Sequence, residues 1–149
     1  MREAWLFAAF VGTAFAQAPG EWTPEFAMQF KSVGAVIPSP DGNRVAWTET
    51  QSIMEPERSE TLTQIFFANA DGSHRVQLTR GEKSSTAPAF SPDGRYVYFE
   101  SPRSGKMNVY RIAVAGGEAE MLTDFKGNLA GYALSPDGKT VAFTGYEPP

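Results

Sequence analysis

Few side chains in this sequence could perform chemistry on a substrate. It has one histidine, His74, and no cysteine, which excludes thiol nucleophiles, thiolate metal sites and disulfide frameworks. A catalytic histidine needs a nucleophile and an orienting acid beside it, and the sequence has no Gly-x-Ser-x-Gly elbow, phosphate-binding loop or His-Glu metal motif. We therefore expect no catalytic, cofactor-binding or metal-binding residue in this chain, and we interpret His74 as a surface residue.

Three aspartates belong to a tetrapeptide, Ser-Pro-Asp-Gly, that occurs around Asp41, Asp93 and Asp137. As calcium ligands they are poor candidates, because each copy offers one carboxylate and calcium takes about six to eight oxygens. As a turn the motif is well suited: proline presets φ at the first corner, aspartate fits the next, and glycine adopts the left-handed conformation. We interpret the three aspartates as turn residues that accept hydrogen bonds from neighbouring backbone N–H groups.

The tetrapeptide is part of a longer repeat. Its copies begin at positions 39, 91 and 135, so the second interval is about 44 residues, the length of a four-stranded propeller blade. The run from Gln64 to Thr79 matches the run from Asn108 to Thr123 at that same spacing. Four short extended runs are predicted in the second unit, at 86–90, 95–101, 107–114 and 118–122.

The strand after each turn is apolar on both faces, as in the alternating residues Val97, Tyr98 and Phe99. Such a strand belongs to a sheet that is covered on both sides, and stacked blades provide that environment. We predict an all-β fold, a partial β-propeller of about two and a half four-stranded blades. A β-sandwich is the alternative, but it would not normally repeat its sequence so closely.

The N-terminus resembles a secretory signal peptide. Arg2 precedes an apolar stretch over 4–16, and small residues allow cleavage after Ala16 or Ala18. The alternative is a buried N-terminal helix. No later run approaches the ~18 apolar residues of a membrane helix, so we expect an exported protein, periplasmic or extracellular, with no membrane contact after cleavage.

A short helix is predicted between the signal peptide and the first blade. Thr23 is a good N-cap, Pro24 suits the first helical position and Glu25 faces the positive end of the helix. Phe26 and Phe30 are four residues apart and form one apolar stripe. We expect two helical turns that pack against the blades and end at Gly34. The predicted domains are a signal peptide at 1–18, a lead-in at 19–33 and a propeller at 34–149, with blades at 34–80, 81–124 and an incomplete 125–149.

One segment departs from the repeat. The interval between the first two tetrapeptides contains an insertion, and the segment from Thr48 to Thr63 is predicted to be a solvated loop at the propeller rim, with recognition as the alternative role. Its charged residues are Glu49, Glu55, Glu57, Arg58 and Glu60. The net charge of −4 and the pI near 5.0 argue against a nucleic-acid partner, which requires a clustered basic face.

The sequence from Trp22 to Tyr146 resembles the opening of exported prolyl oligopeptidase-family serine peptidases, closest to the acylaminoacyl-peptidase and dipeptidyl-peptidase branches. The matching features are Thr-Pro-Glu with a short helix, then Ser-Pro-Asp-Gly-x-x-Val-Ala-Trp, an acidic loop and Asp-Gly-Ser-x-x-x-Gln-Leu-Thr. In that family a propeller screens access to a C-terminal α/β-hydrolase domain with a Ser, Asp and His triad. None of those catalytic positions occurs here.

The resemblance implies a substrate-gating, non-catalytic propeller whose partner is a peptide or protein substrate. Periplasmic proteins of the TolB type use the same blades, so the alternative is a non-enzymatic propeller that binds an envelope protein. Those proteins place a separate α/β domain before the propeller, and we expect none here, since only about twenty residues are available between the predicted signal peptide and the first blade. A truncated reading frame without independent function is a third interpretation.

Overall fold

The computed structural model describes residues 23–147. The predicted signal peptide lies outside the described residues. Within them the elements, in chain order, are α1 (Pro24–Ala27), β1 (Ser32–Pro38), β2 (Arg44–Glu55), β3 (Arg58–Asn69), β4 (Val76–Gln77), β5 (Thr86–Phe90), β6 (Tyr96–Ser101), β7 (Asn108–Ala113), β8 (Glu120–Met121), β9 (Asn128–Leu134) and β10 (Val141–Tyr146).

The strands form three antiparallel sheets, each built from consecutive strands. The first two sheets have the orders β1-β2-β3-β4 and β5-β6-β7-β8, and the third pairs β9 with β10. We call them blades 1, 2 and 3. The first strands of blades 1 and 2 lie against each other, which brings these inner edges together as in blades around a common axis. The predicted all-β partial propeller is confirmed.

The main core lies between blades 1 and 2. Val97 and Phe99 of β6 are fully buried against Ile65 and Phe67 of β3. Tyr98 points to the other side of the same strand and is buried in a second cluster with residues of blade 3. Blade 2 is therefore covered on both sides, which is why its central strands tolerate apolar residues at consecutive positions.

The lead-in helix is shorter than predicted. Thr23 caps it, since the Phe26 N–H donates to Thr23 Oγ1 at 3.1 Å, and the Phe26 and Phe30 rings meet edge to face at 5.2 Å between centroids. The helix nevertheless ends at Ala27, and Gly34 lies in β1, paired with Thr48. The expectation of two helical turns ending at Gly34 was wrong. A helix of two turns has little stability of its own, and strand β1 already begins at Ser32.

The insertion is a β-hairpin, so the prediction of a loop from Thr48 to Thr63 was wrong. Strands β2 and β3 stay in register from Arg44 opposite Asn69 to Glu55 opposite Arg58. The cross-strand pair of Thr50 and Thr63 joins its hydroxyls at 2.8 Å, the kind of contact that stabilises an antiparallel ladder. These strands could not be recognised in the sequence because their residues are mostly polar. Threonines alternate with other residues along a hairpin that extends beyond the rest of the blade.

Candidate functional site

Each Ser-Pro-Asp-Gly motif forms the turn between the first two strands of its blade. In blade 2, Ser91 Oγ donates to Asp93 Oδ1 at 2.6 Å and accepts from the Tyr96 N–H at 2.9 Å. Asp93 Oδ1 also accepts from the Arg95 N–H at 3.0 Å. The same three bonds recur in the other two copies, at 2.5 to 3.1 Å. The predicted acceptance of backbone N–H bonds by the three aspartates is confirmed.

These bonds stabilise the ionised carboxylates. The serine hydroxyl first, and then the backbone N–H two residues on, hold the pKa of Asp41, Asp93 and Asp137 below the usual range of aspartate. A lowered folded-state pKa adds stability above the pKa of the unfolded chain, and this stability is lost as the pH falls through the folded value. The turns are therefore acid-sensitive, and their carboxylates serve the fold.

Successive turns also contact one another. A Cβ on Gly138 would lie 3.0 Å from Pro92 Cδ in the turn of the preceding blade, and a Cβ on Gly94 would lie 2.9 Å from Arg44 Nη2 and 3.8 Å from Pro40 Cδ. The φ angles of these glycines are 69° and 67°, in the left-handed region. Glycine therefore serves both the conformation of its own turn and the close approach of the neighbouring blade.

Replacing Gly138 by alanine should cost more stability than the same change at Gly72. Both glycines have positive φ, but nothing lies within 4 Å of a Cβ on Gly72. The left-handed conformation costs alanine ~1 kcal/mol at either site, and crowding of the rigid Pro92 ring should add about 1 kcal/mol more at Gly138. Hydrogen exchange measures each loss at an amide bonded within the same turn, Thr140 for Gly138 and Asn69 for Gly72, and equal losses for the two variants would contradict the contact between turns.

A buried polar contact fixes the exit of the chain from blade 1. Thr79 Oγ1 donates to Gln64 Oε1 at 2.7 Å and accepts from the Ile65 N–H at 2.8 Å. Gln64 Nε2 donates to the carbonyls of Gly81 and Lys83, at 3.1 and 3.2 Å. Because Gln64 and Thr79 are buried, removing either would leave polar groups without partners. We call this arrangement the threonine latch.

Blade 2 repeats the threonine latch with an asparagine. Thr123 Oγ1 donates to Asn108 Oδ1 at 2.8 Å and accepts from the Val109 N–H at 2.9 Å. Asn108 Oδ1 also accepts from the Phe125 N–H at 2.8 Å, on the connection to blade 3. Sequence reasoning missed this role, although the repeated spacing of Gln64 to Thr79 and Asn108 to Thr123 was its signal.

The face of blade 1 that points away from blade 2 combines aromatic and charged groups. The rings of Trp47 and Phe66 stack at 5.9 Å between centroids, and the Arg75 guanidinium lies over both, at 5.7 and 5.2 Å. Arg75 pairs with Glu49, which also accepts from Trp47 Nε1 at 3.0 Å. We call these four residues and Val45 the first-blade face. Glu49 was expected in a solvated loop but is only 9% exposed.

The remaining candidate residues show no assembled chemistry. His74 is exposed, as predicted, and adopts a φ of 54° in the hairpin before β4. Among residues 23–147, histidine and acidic side chains form no group of three or more that could hold a metal ion. In the same part of the chain, no helix has the length and apolar character needed to cross a membrane.

Comparison with known proteins gives two kinds of relative. The chain is 30% identical to dipeptidyl-peptidase 5 of Porphyromonas endodontalis over 122 residues, which are 82% of this chain and 17% of that protein. The structure of a putative TolB from Agrobacterium tumefaciens matches with a TM-score of 0.59 and 31% identity, covering 74% of this chain and 37% of that one. The acylaminoacyl peptidase of Pyrococcus horikoshii shares the fold, with a TM-score of 0.64 and 18% identity over 84% of this chain and 19% of that one.

The blades and their repeated turns define a β-propeller repeat protein. A family profile described as the TolB beta propeller domain matches residues 26–148. The chain belongs to this family, and its propeller is related both to peptidases and to TolB. It spans about a sixth of the length of the dipeptidyl-peptidase 5 relative.

Proposed function

We propose that these residues are the substrate-gating propeller of an exported serine peptidase whose catalytic α/β-hydrolase domain lies beyond residue 149. The observation that carries the proposal is the 30% identity to dipeptidyl-peptidase 5 over 82% of the chain. The 122 matched residues are 17% of that relative, which leaves length for further blades and for a separate catalytic domain.

In this proposal the propeller contributes selection and no proton transfer. The carboxylates of its turns are engaged in backbone hydrogen bonds, and Glu49 is paired with Arg75, so these groups are committed to the fold. A peptide or protein substrate would be selected by size and by contacts at the blade ends, where loops and hairpins are free to vary. Residues 1–18 would direct export and be removed, 19–33 would lead into the propeller, and 34–149 would supply its first blades.

The alternative function is a TolB-like propeller that binds a protein of the cell envelope without catalysis. The likeness to the putative TolB structure, at 31% identity over 74% of this chain, favours it. Both functions use the same blades and differ in the segment attached after the propeller, so the sequence beyond residue 149 discriminates between them. A chain that closes the propeller and then ends supports the binding protein.

A fluorophosphonate probe tests the proposal directly. The longer gene product should be labelled covalently, because the probe captures a serine that a neighbouring histidine activates and an oxyanion hole supports. The matched control is the 149-residue chain, which should stay unlabelled. Labelling of the 149-residue chain would contradict the division between propeller and catalytic domain, and an unlabelled longer product would favour the binding protein.

A further inference from the structure

The hairpin of β2 and β3 has two edges, and the connection to blade 2 covers the one on β3. There the Thr63 N–H donates to Ser84 Oγ at 3.1 Å, and the Thr63 C=O accepts from the Ser85 N–H at 2.8 Å. Both backbone groups of Thr63 therefore point away from β2. Its partner Thr50 must direct its own backbone groups away from β3, because the residues of such an antiparallel pair face opposite ways. Every second residue of β2 does the same.

Two residues at the outer end of β2 keep these groups free. Strand β1 covers the edge only from Ser32 onward, and the backbone bonds of residues 23–30 close within the lead-in. The N–H and C=O of Ser52 and Met54 point toward the place that an earlier start of β1 would occupy. Among the described residues these groups have no hydrogen-bond partner. An unpaired edge of this kind is a template for an added strand.

A groove lies beside this free edge. Its volume of about 550 Å³ is within the range of ligand sites in proteins. Its lining residues are Met28, Gln29, Lys31, Gln51, Ser52 and Met54. Met28 and Met54 are 38% and 58% exposed, and methionine adapts to apolar side chains of different shapes. The groove therefore offers backbone hydrogen bonds along one wall and apolar contacts next to them.

The two ends of the groove differ in charge. Lys31 lies at the end near β1, and the hairpin tip at the other end carries Glu55 and Glu57. In the described part of the chain these three side chains form no ion pair, whereas Arg58 of the tip pairs with Glu60. Because β2 runs toward the tip, a strand antiparallel to it would start at the glutamates and end at Lys31. The charges therefore favour a basic start and an acidic end.

We propose that the free edge of β2 binds an extended peptide from another molecule as an added antiparallel strand. The peptide carries a basic residue at its start, apolar residues beside Met28 and Met54, and an acidic residue at its end, next to Lys31. Backbone bonds to Ser52 and Met54 hold the strand, and the side chains determine which peptides fit. This binding site goes beyond the proposed function and does not require a catalytic domain.

Fluorescence anisotropy tests the proposal with the protein that we propose, extended beyond residue 149. The probe is the peptide Lys-Val-Thr-Val-Glu-amide, labelled with fluorescein at its amino end through a Gly-Gly spacer. The control probe reverses the charges, with glutamate first and lysine last. It should bind about fivefold more weakly, because two attractive contacts become repulsive. Equal binding of the two probes would contradict the assigned direction of the strand.

Proline on the two edges of the hairpin gives a matched pair of variants. Ser52→Pro removes an N–H that points away from β3, so it deletes a bond to the peptide and none within the hairpin. It should weaken binding of the probe about tenfold. The control Ser59→Pro makes the same exchange on β3, where the N–H points away from β2, and should leave binding unchanged. Lys31→Glu should weaken binding about threefold.

Hydrogen exchange completes the test. The Ser52 and Met54 amides should exchange freely in the protein alone and become protected with the probe, while the Gln51 and Ile53 amides, bonded to β3, stay protected throughout. A loss of affinity in Ser52→Pro that Ser59→Pro does not share supports the added strand. Absence of binding, or equal losses in both variants, overturns it. Protection of Ser52 and Met54 without the probe also overturns it: the same polypeptide covers the edge, or a second copy does if protection rises with protein concentration.

Discussion

The 149-residue chain, produced on its own without residues 1–18, should show no cooperative thermal transition and should aggregate. Its third sheet has two strands, and Phe143 and Tyr146 on β10 are 41% and 64% exposed. The first-blade face leaves Trp47 half-covered at the other end. A propeller typically has at least about four blades, and uncovered edges and apolar faces promote association between chains.

Differential scanning calorimetry and light scattering measure this outcome. The matched sample is the longer gene product that we propose, extended beyond residue 149, which should melt cooperatively and remain monodisperse at the same concentration. The contrast should be close to all-or-none, because each blade of a repeat array is stabilised mainly by its neighbours. A sharp melt from a monomeric sample of the 149-residue chain would show that two blades and a hairpin are sufficient to fold.

The turns could be predicted from the sequence because their conformation is local. Proline, aspartate and glycine each determine part of the turn within four residues, and the observed bonds of Ser91 and Asp93 stay inside the motif or reach the strand just after it. The repeat spacing then identified the blades, since about 44 residues accommodate four short strands. The pairing of Val97 with Phe99 on one face could be derived from the two-residue period of a strand.

The parts that could not be predicted depend on contacts between distant segments. The hairpin of β2 and β3 has an ordinary polar composition, and its strands exist because each supplies the other's hydrogen bonds. Glu49 is buried between neighbouring strands and pairs with Arg75, which lies 26 residues away in the sequence. Ala35 and Ala87 adopt φ angles of 43° and 50° where the first strands of blades 1 and 2 bulge. Alanine gives no sequence signal for that conformation, which the surrounding sheet imposes.

Replacing Phe99 by alanine should produce the largest loss of stability of any single substitution considered for this chain. Phe99 is fully buried between blades 1 and 2, stacked on Tyr110 and in one cluster with Ile65 and Phe67. Deleting a buried phenylalanine ring typically costs ~3–5 kcal/mol, from lost transfer energy and from the cavity that remains. Since the ring joins two blades, the cavity would loosen both.

The measurement is hydrogen exchange of the β6 and β7 amides in the longer gene product, with urea unfolding as a second readout. The control Phe30→Ala removes the same side chain from a site that is 55% exposed in the lead-in, and it should cost less than about 1 kcal/mol. Protection should fall in blade 1 as well as in blade 2 when Phe99 is replaced, because Ile65 and Phe67 lose the same neighbour. A loss confined to β6 and β7, or a cost no greater than that of Phe30→Ala, would mean that packing across this interface contributes less than the sheet hydrogen bonds within each blade.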